Sequence, residues 1–236
     1  MSINVRKLIL CLLGMSLVAL SCPSPALEVS PVALTYKGKS RLETLRLHNE
    51  MSHPVTLQVS AYRWVLDNNV QALNPTQDLF PSPTIFTIEP HKTRHLRVGL
   101  FVQNSSEKVG TYRLDLKEIP TDSSRLANKD KHQVQILYDI SLPIFVYPSK
   151  PVKDSWHWLI SKDSGALQFV NTGGSVLSLH KLVFFDENGA EHKMRRARYV
   201  LPGQSIRYPL KPSWHIQTIE QTVNNLKTNI TARVSL

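Results

Sequence analysis

Apolar and polar residues alternate with a period of two at several places along this chain, and no segment sustains a period of 3.6. Side chains that alternate in this way point to opposite faces of a strand, so one face is buried and the other solvated. Val55, Leu57 and Val59 alternate with Thr56, Gln58 and Ser60, and Tyr112, Leu114 and Leu116 alternate with Arg113, Asp115 and Lys117. Val134, Ile136, Tyr138, Ile140 and Leu142 form the longest such series. Arg41 to Leu47 is a shorter, imperfect case. Turn-forming clusters separate these runs: Lys37-Gly38, Asp67-Asn68-Asn69, Asn74-Pro75 and Glu89-Pro90. Strands with turns at this spacing predict an all-β sandwich or barrel. The best helical candidate is Gln217 to Lys227, weakened by Thr218, Thr222, Val223 and its asparagines.

The first residues follow a different pattern. Arg6 and Lys7 precede the apolar run Leu8 to Leu20, which is too short to span a bilayer, and Ser24-Pro25-Ala26 supplies small residues for cleavage. Residues 1–26 are expected to be a secretory signal peptide removed after Ala26; the competing reading is lipidation at Cys22. Both cysteines, Cys11 and Cys22, lie before that cleavage point. The exported chain therefore folds without disulfides and has no thiolate for catalysis or metal binding. No second apolar run is long enough to cross a membrane as a helix.

Tyr147-Pro148-Ser149-Lys150-Pro151 interrupts the strand pattern, since two prolines so close cannot continue a central strand. The expected division is 27–148 and 149–236, each of a size that suits an immunoglobulin-like sandwich. The second part repeats the same grammar. Ala166–Val170 and Ser178–Phe185 read as strands, Asn188-Gly189 as a hairpin turn and Pro202-Gly203 as another turn.

The chain shows no short motif of catalysis. His91 and His95 are four apart, a metal-binding spacing only on a helix, and here they follow Pro90 at a turn. Gly-x-Ser-x-Gly, phosphate-cradling and dinucleotide fingerprints are absent. No cofactor is expected. The net charge is +10, with Lys193, Arg195, Arg196 and Arg198 as its densest group. An exported chain meets no genome, so this is read as a solvated basic face and no nucleic-acid partner is expected.

Gln133 to Pro148 carries the functional signal. A long apolar strand with Pro143 inside it reads as an edge strand, because proline cannot donate to a central ladder. Its edge has little charge to blunt it, and a polar segment, Thr121 to His132, leads into it. A pattern of this kind suits a strand that pairs with another chain by β-augmentation.

Five stretches in order make the chain resemble the periplasmic chaperones of chaperone–usher pilus assembly. They are Val29-Ser30-Pro31-Val32 with Lys37-Gly38 and His48-Asn49; Tyr62-Arg63-Trp64 with Pro83 to Phe86 and Ile88-Glu89-Pro90; Leu96-Arg97-Val98; Tyr112-Arg113-Leu114 through Glu118-Ile119-Pro120; and Leu142-Pro143-Ile144-Phe145-Val146-Tyr147-Pro148. Phe169 to Gly174 resembles that family's Asn-x-Gly segment. The resemblance implies two immunoglobulin-like domains set at an angle. It also implies donation of a strand to pilus subunits that lack one, and delivery of the complex to an outer-membrane usher. The donor positions it implies are Val134, Ile136 and Tyr138, with Ile140 and Leu142 beyond them. The two basic residues that anchor a subunit carboxylate in classical members fall on Ala33 and Pro143, and the interdomain basic residue on Tyr147. These departures resemble the archaic, spore-coat-U-type branch and leave Arg97 as the candidate anchor. The competing function is an envelope structural or adhesion protein of the same fold without a strandless client.

Overall fold

The computed structural model describes residues 26–120, 137–161, 165–194, 198–211 and 213–234, so most of the expected leader lies outside it. Among the described residues there are strands and no helix.

The first half holds β1 (Leu27–Ser30), β2 (Leu34–Tyr36), β3 (Leu42–Asn49), β4 (Val55–Asp67), β5 (Val70–Pro75), β6 (Leu79–Ser82), β7 (Ile85–Ile88), β8 (Thr93–Leu100), β9 (Gly110–Glu118) and β10 (Asp139–Val146). One sheet runs β1-β3-β8-β6; the other runs β2-β10-β9-β4-β5, with β7 also paired to β4. The period-two residues close the space between them. Leu45, Leu47, Leu96 and Val98 face inward from the first sheet, and Leu57, Leu114, Leu116 and Ile144 from the second, all but fully buried. Tyr36 Oη crosses this core to donate to the Val98 carbonyl at 2.6 Å, and its burial pushes the phenol pKa up, with Glu43 adding to the effect.

The second half holds β11 (Trp156–Ser161), β12 (Ala166–Asn171), β13 (Leu177–Asp186), β14 (Glu191–Met194), β15 (Arg198–Val200), β16 (Ser205–Pro209), β17 (Ile216–Val223) and β18 (Leu226–Val234). Its sheets run β11-β12-β16 and β14-β13-β17-β18, with β15 on β13. A separate core forms around Phe169, Phe184, Leu179, Ile216 and Ile219. Trp158 fits edge-on to Phe169 at 5.2 Å and donates its indole N–H to Gln221 Oε1 at 2.9 Å, so its polar end is satisfied inside the layer.

Each sandwich is stitched by a buried asparagine. Asn49 Nδ2 donates to the carbonyls of His53 and Ile88 at 2.9 and 3.0 Å, and its Oδ1 accepts from Met51 N–H. Asn171 repeats the device, donating to Ser175 and Val200 carbonyls and accepting from Gly173 N–H. These side chains supply the loop backbone with partners that the ladder does not.

The helical expectation for Gln217 to Lys227 fails. The segment is the β17–β18 hairpin, turned by Asn224 and Asn225 at φ 48° and 66°. Two left-handed residues in succession are what a type I′ hairpin turn needs, and asparagine tolerates that region. Asn68 and Asn69, at φ 48° and 64°, turn β4 into β5 in the same way.

Candidate functional site: a half-open strand edge beside a cleft

Strand β10 pairs with β9 along its whole length, from Asp139↔Lys117 to Val146↔Gly110. On its other side it meets β2, in parallel, only over Ile144 to Val146. Asp139 to Pro143 therefore have a strand neighbour on one side alone among the described residues. Pro143 stands immediately before the pairing with β2 begins, where a missing N–H breaks no ladder. The edge character read from Pro143 is thus present, but β2 covers its last third.

The apolar face of β10 divides along its length. Ile144 and Val146 are core residues, and so is Leu142 at 6% exposure. Ile140 and Tyr138 are half-buried, packed against the rim of the same core. Tyr138 N–H donates to Glu118 Oε2 at 3.1 Å and its carbonyl accepts from Glu118 N–H at 2.8 Å, which carries the ladder one residue beyond the strand. Val134 and Ile136 lie outside the described residues. The expectation that all five alternating residues present free apolar surface is corrected at Leu142. Its side chain fills the chain's own sandwich because the two sheets still face each other at that level.

Arg97, the candidate anchor, stands away from the second sheet. On β8 the residues Leu96, Val98 and Leu100 point into the core, so Arg97 points out of the first sheet. The cleft between the two halves opens on the second sheet. There Tyr199 of β15 sits edge-on to Trp64 at 5.9 Å and to Phe145 at 5.4 Å. The hairpin tip joins them: Asn69 Nδ2 donates to Ser205 O at 2.8 Å, Ser205 N–H donates to Asn69 Oδ1 at 2.7 Å, and Gln71 Nε2 donates to Tyr199 O. Val109 N–H donates to Gly174 O at 2.8 Å. That approach is so close that a Cβ on Gly174 would lie 2.6 Å from the Glu107 carbonyl, which is why glycine stands at that position.

A basic residue at this cleft is Arg113, one step from the buried Tyr112 and Leu114 and so facing outward. Its guanidinium lies 3.9 Å over the Trp64 ring and 5.9 Å from Tyr199, and donates a long bond to Ser141 O at 3.4 Å, on β10. Burial holds its pKa below the usual arginine value, opposed by Tyr199 and Asp115. It makes no salt bridge among the described residues. Sequence reasoning missed it because the alternation marks Arg113 only as an outward residue; which outward residue meets Tyr199, far along the chain, is a tertiary fact.

His91 occupies a turn at φ 56° and His95 an exposed strand position, and among the described residues no group of His, Cys, Asp and Glu could hold a metal. No helix among them is long and apolar enough to cross a membrane.

Two sandwiches built only of strands, the first with β10 half-open along one edge, define the fold class as a pair of immunoglobulin-like domains. The chain belongs to the pili and flagellar-assembly chaperone family: residues 26–151 match its PapD N-terminal domain. No curated protein matches the chain. Among solved structures it is similar to the CsuC–CsuE chaperone–tip adhesion subunit complex of the archaic Csu pili of Acinetobacter baumannii, with 17% identity and a TM-score of 0.64 over 87% of this chain and 97% of that one. It is similar to the CupB2 chaperone of Pseudomonas aeruginosa at 16% identity and TM-score 0.60, over 89% of this chain and 100% of that one. It also resembles a chain in the Salmonella enterica SafA pilin–SafB chaperone complex at 13% identity and TM-score 0.67, over 90% and 99%. At these identities the likeness establishes the two-sandwich fold.

Proposed function

We propose that the chain is a periplasmic chaperone that binds pilus subunits by lending them a strand and passes them to an outer-membrane usher. The observation that carries this reading is the edge of β10 from Asp139 to Pro143, which has no neighbour on one side among the described residues. A subunit lacking a strand exposes backbone donors and acceptors and an apolar groove. A strand laid against it satisfies the first by ladder hydrogen bonds and the second by alternate side chains. Tyr138 and Ile140, with Val134 and Ile136 before them, would fill the groove, while Leu142 holds the strand to its own sandwich. Residues 27–148 would form the subunit-binding unit, 149–236 the second unit, and 1–26 the leader cleaved near Ala26. The departures at Ala33, Pro143 and Tyr147, with the likeness to CsuC, favour the archaic branch.

Arg113 replaces Arg97 as the residue for a client carboxylate. It is a cation in a cleft, without a salt-bridge partner among the described residues, next to the strand that the client would pair with. A carboxylate reaching it would gain a charge-assisted bond in a half-desolvated setting.

The test is co-expression with any small secreted β-proteins encoded beside its gene, followed by capture of the chain from periplasm. Co-purification of a subunit, lost in Ile136→Asp while the chain stays soluble, supports donation. Capture with no subunit, or an insoluble Ile136→Asp chain, refutes it.

A further inference from the structure

The outer face of the first sheet carries an apolar patch beside a free cation. Leu42, Gly99 and Phe80 are register partners across β3, β8 and β6, and their parity turns them away from the core. Phe101 follows on the same face, its ring 5.9 Å from that of Phe80. Leu42, Phe80 and Phe101 are 56%, 54% and 73% exposed. Single exposed apolar residues are ordinary, but three ringing a bare glycine form a patch. Leu42 and Phe80 stand about 10 Å apart, two strand spacings, with Gly99 as the floor between them.

Two residues along β8, about 7 Å away at the usual strand rise, stands Arg97 between Thr44 and Ser82. It is exposed and has no hydrogen bond or ion pair among the described residues, whereas Arg46 on the same face is paired with Glu28 at 3.1 Å. Strand addition at this end of the sheet is disfavoured, because Pro81 and Pro83 remove donors from the edge at β6. An occupant would lie on the face.

We propose that this face docks an extended segment of a partner protein carrying an apolar side chain and, two residues on, a carboxylate. The apolar side chain seats on Gly99 between Leu42 and the Phe80–Phe101 pair, and the carboxylate meets Arg97. The rise along an extended segment matches the rise along β8, so i and i+2 side chains reach both points at once. The partner is a protein other than the client. The client site lies at β10 and the cleft of the second sheet, and the first sheet's outer face is on the opposite side of the sandwich. It therefore stays open while a client is held. This last step rests on the chaperone reading.

The probe is a labelled, acetylated and amidated peptide with one leucine and an aspartate two positions on, in a glycine–serine background. It is titrated by fluorescence anisotropy against the mature chain alone and against the chain–subunit complex. Saturable binding to both is expected. It should weaken about tenfold or more in Phe101→Ser, in Arg97→Gln and with the Asp→Asn peptide, the loss typical of removing an interface anchor. Both variants alter exposed residues and should still hold the subunit. Absence of saturable binding, indifference to the three changes, or binding to the free chain but not to the complex overturns the proposal. Failure to recover any subunit refutes the chaperone reading instead, and the free-chain titration still decides the patch.

Discussion

Replacing Leu142 and Tyr138 with alanine, separately, tests where the chain's own core ends and its lending face begins. Both lie on one face of β10 and its extension, four residues apart. Leu142 is 6% exposed within a close-packed sandwich. Removing its side chain forfeits the transfer energy of a buried leucine and leaves a cavity that the two sheets cannot close, at about 2–5 kcal/mol. Against a total stability of about 5–15 kcal/mol, that is a large fraction. With a urea slope of about 2 kcal/mol/M it moves the unfolding midpoint of the first sandwich by about 1–2.5 M. Tyr138 is half-buried, and among the described residues its hydroxyl reaches Met51 Sδ at 3.8 Å. Its truncation costs about 1 kcal/mol in the free chain, within the range of partly exposed sites. If the strand is lent as proposed, the order reverses for the client, because Tyr138 would supply an aromatic body to the subunit's groove and Leu142 nothing. Unfolding is followed by hydrogen exchange of the β9 amides, which report the first sandwich alone, and client binding by subunit recovered on co-expression. Leu142→Ala should lower protection strongly, and Tyr138→Ala should lower subunit yield at near-normal protection. Unchanged protection in Leu142→Ala, or an undiminished subunit yield in Tyr138→Ala, refutes the division.

Arg113→Gln should leave the chain folded and reduce client affinity about tenfold or more, seen as faster subunit loss in a chase, because a charge-assisted bond becomes a neutral one. Gly174→Ala should separate the two halves' contacts, since its Cβ would meet the Glu107 carbonyl at 2.6 Å and the Val152 side chain at 2.7 Å; protection of the Val109 amide in hydrogen exchange should fall. Lys181 and Lys227 hold the Glu220 carboxyl below its ordinary pKa, so its stabilising effect is full above the unfolded-state value and is lost as pH falls through the lower folded value. Melting temperature should therefore drop more steeply between pH 5 and 3, a window of about one unit either side of the ordinary carboxylate value, in the wild type than in Glu220→Gln.

Period-two alternation sufficed to place the inward residues of β4 and β9, because a strand's parity is a local property that burial then enforces. Asn188-Gly189 and Asp67-Asn68-Asn69 likewise announced their turns, since left-handed φ values are tolerated by few residues. The same local rule misled at Gln217 to Lys227, where the asparagines that seemed to spoil a helix are the turn of a hairpin. What parity cannot say is which partner an outward or inward residue meets. Leu142 reads like Ile136 in the alternating series, yet it is core, because the opposing sheet still reaches that level. Arg97 and Arg113 both read as outward cations in strands. Only the packing of two sheets, and of Tyr199 against the second, turns Arg113 into the cleft and Arg97 to the opposite face. The chain's own sequence thus determined strands, turns and an edge with a proline in it; long-range pairing decided how much of that edge is left to give.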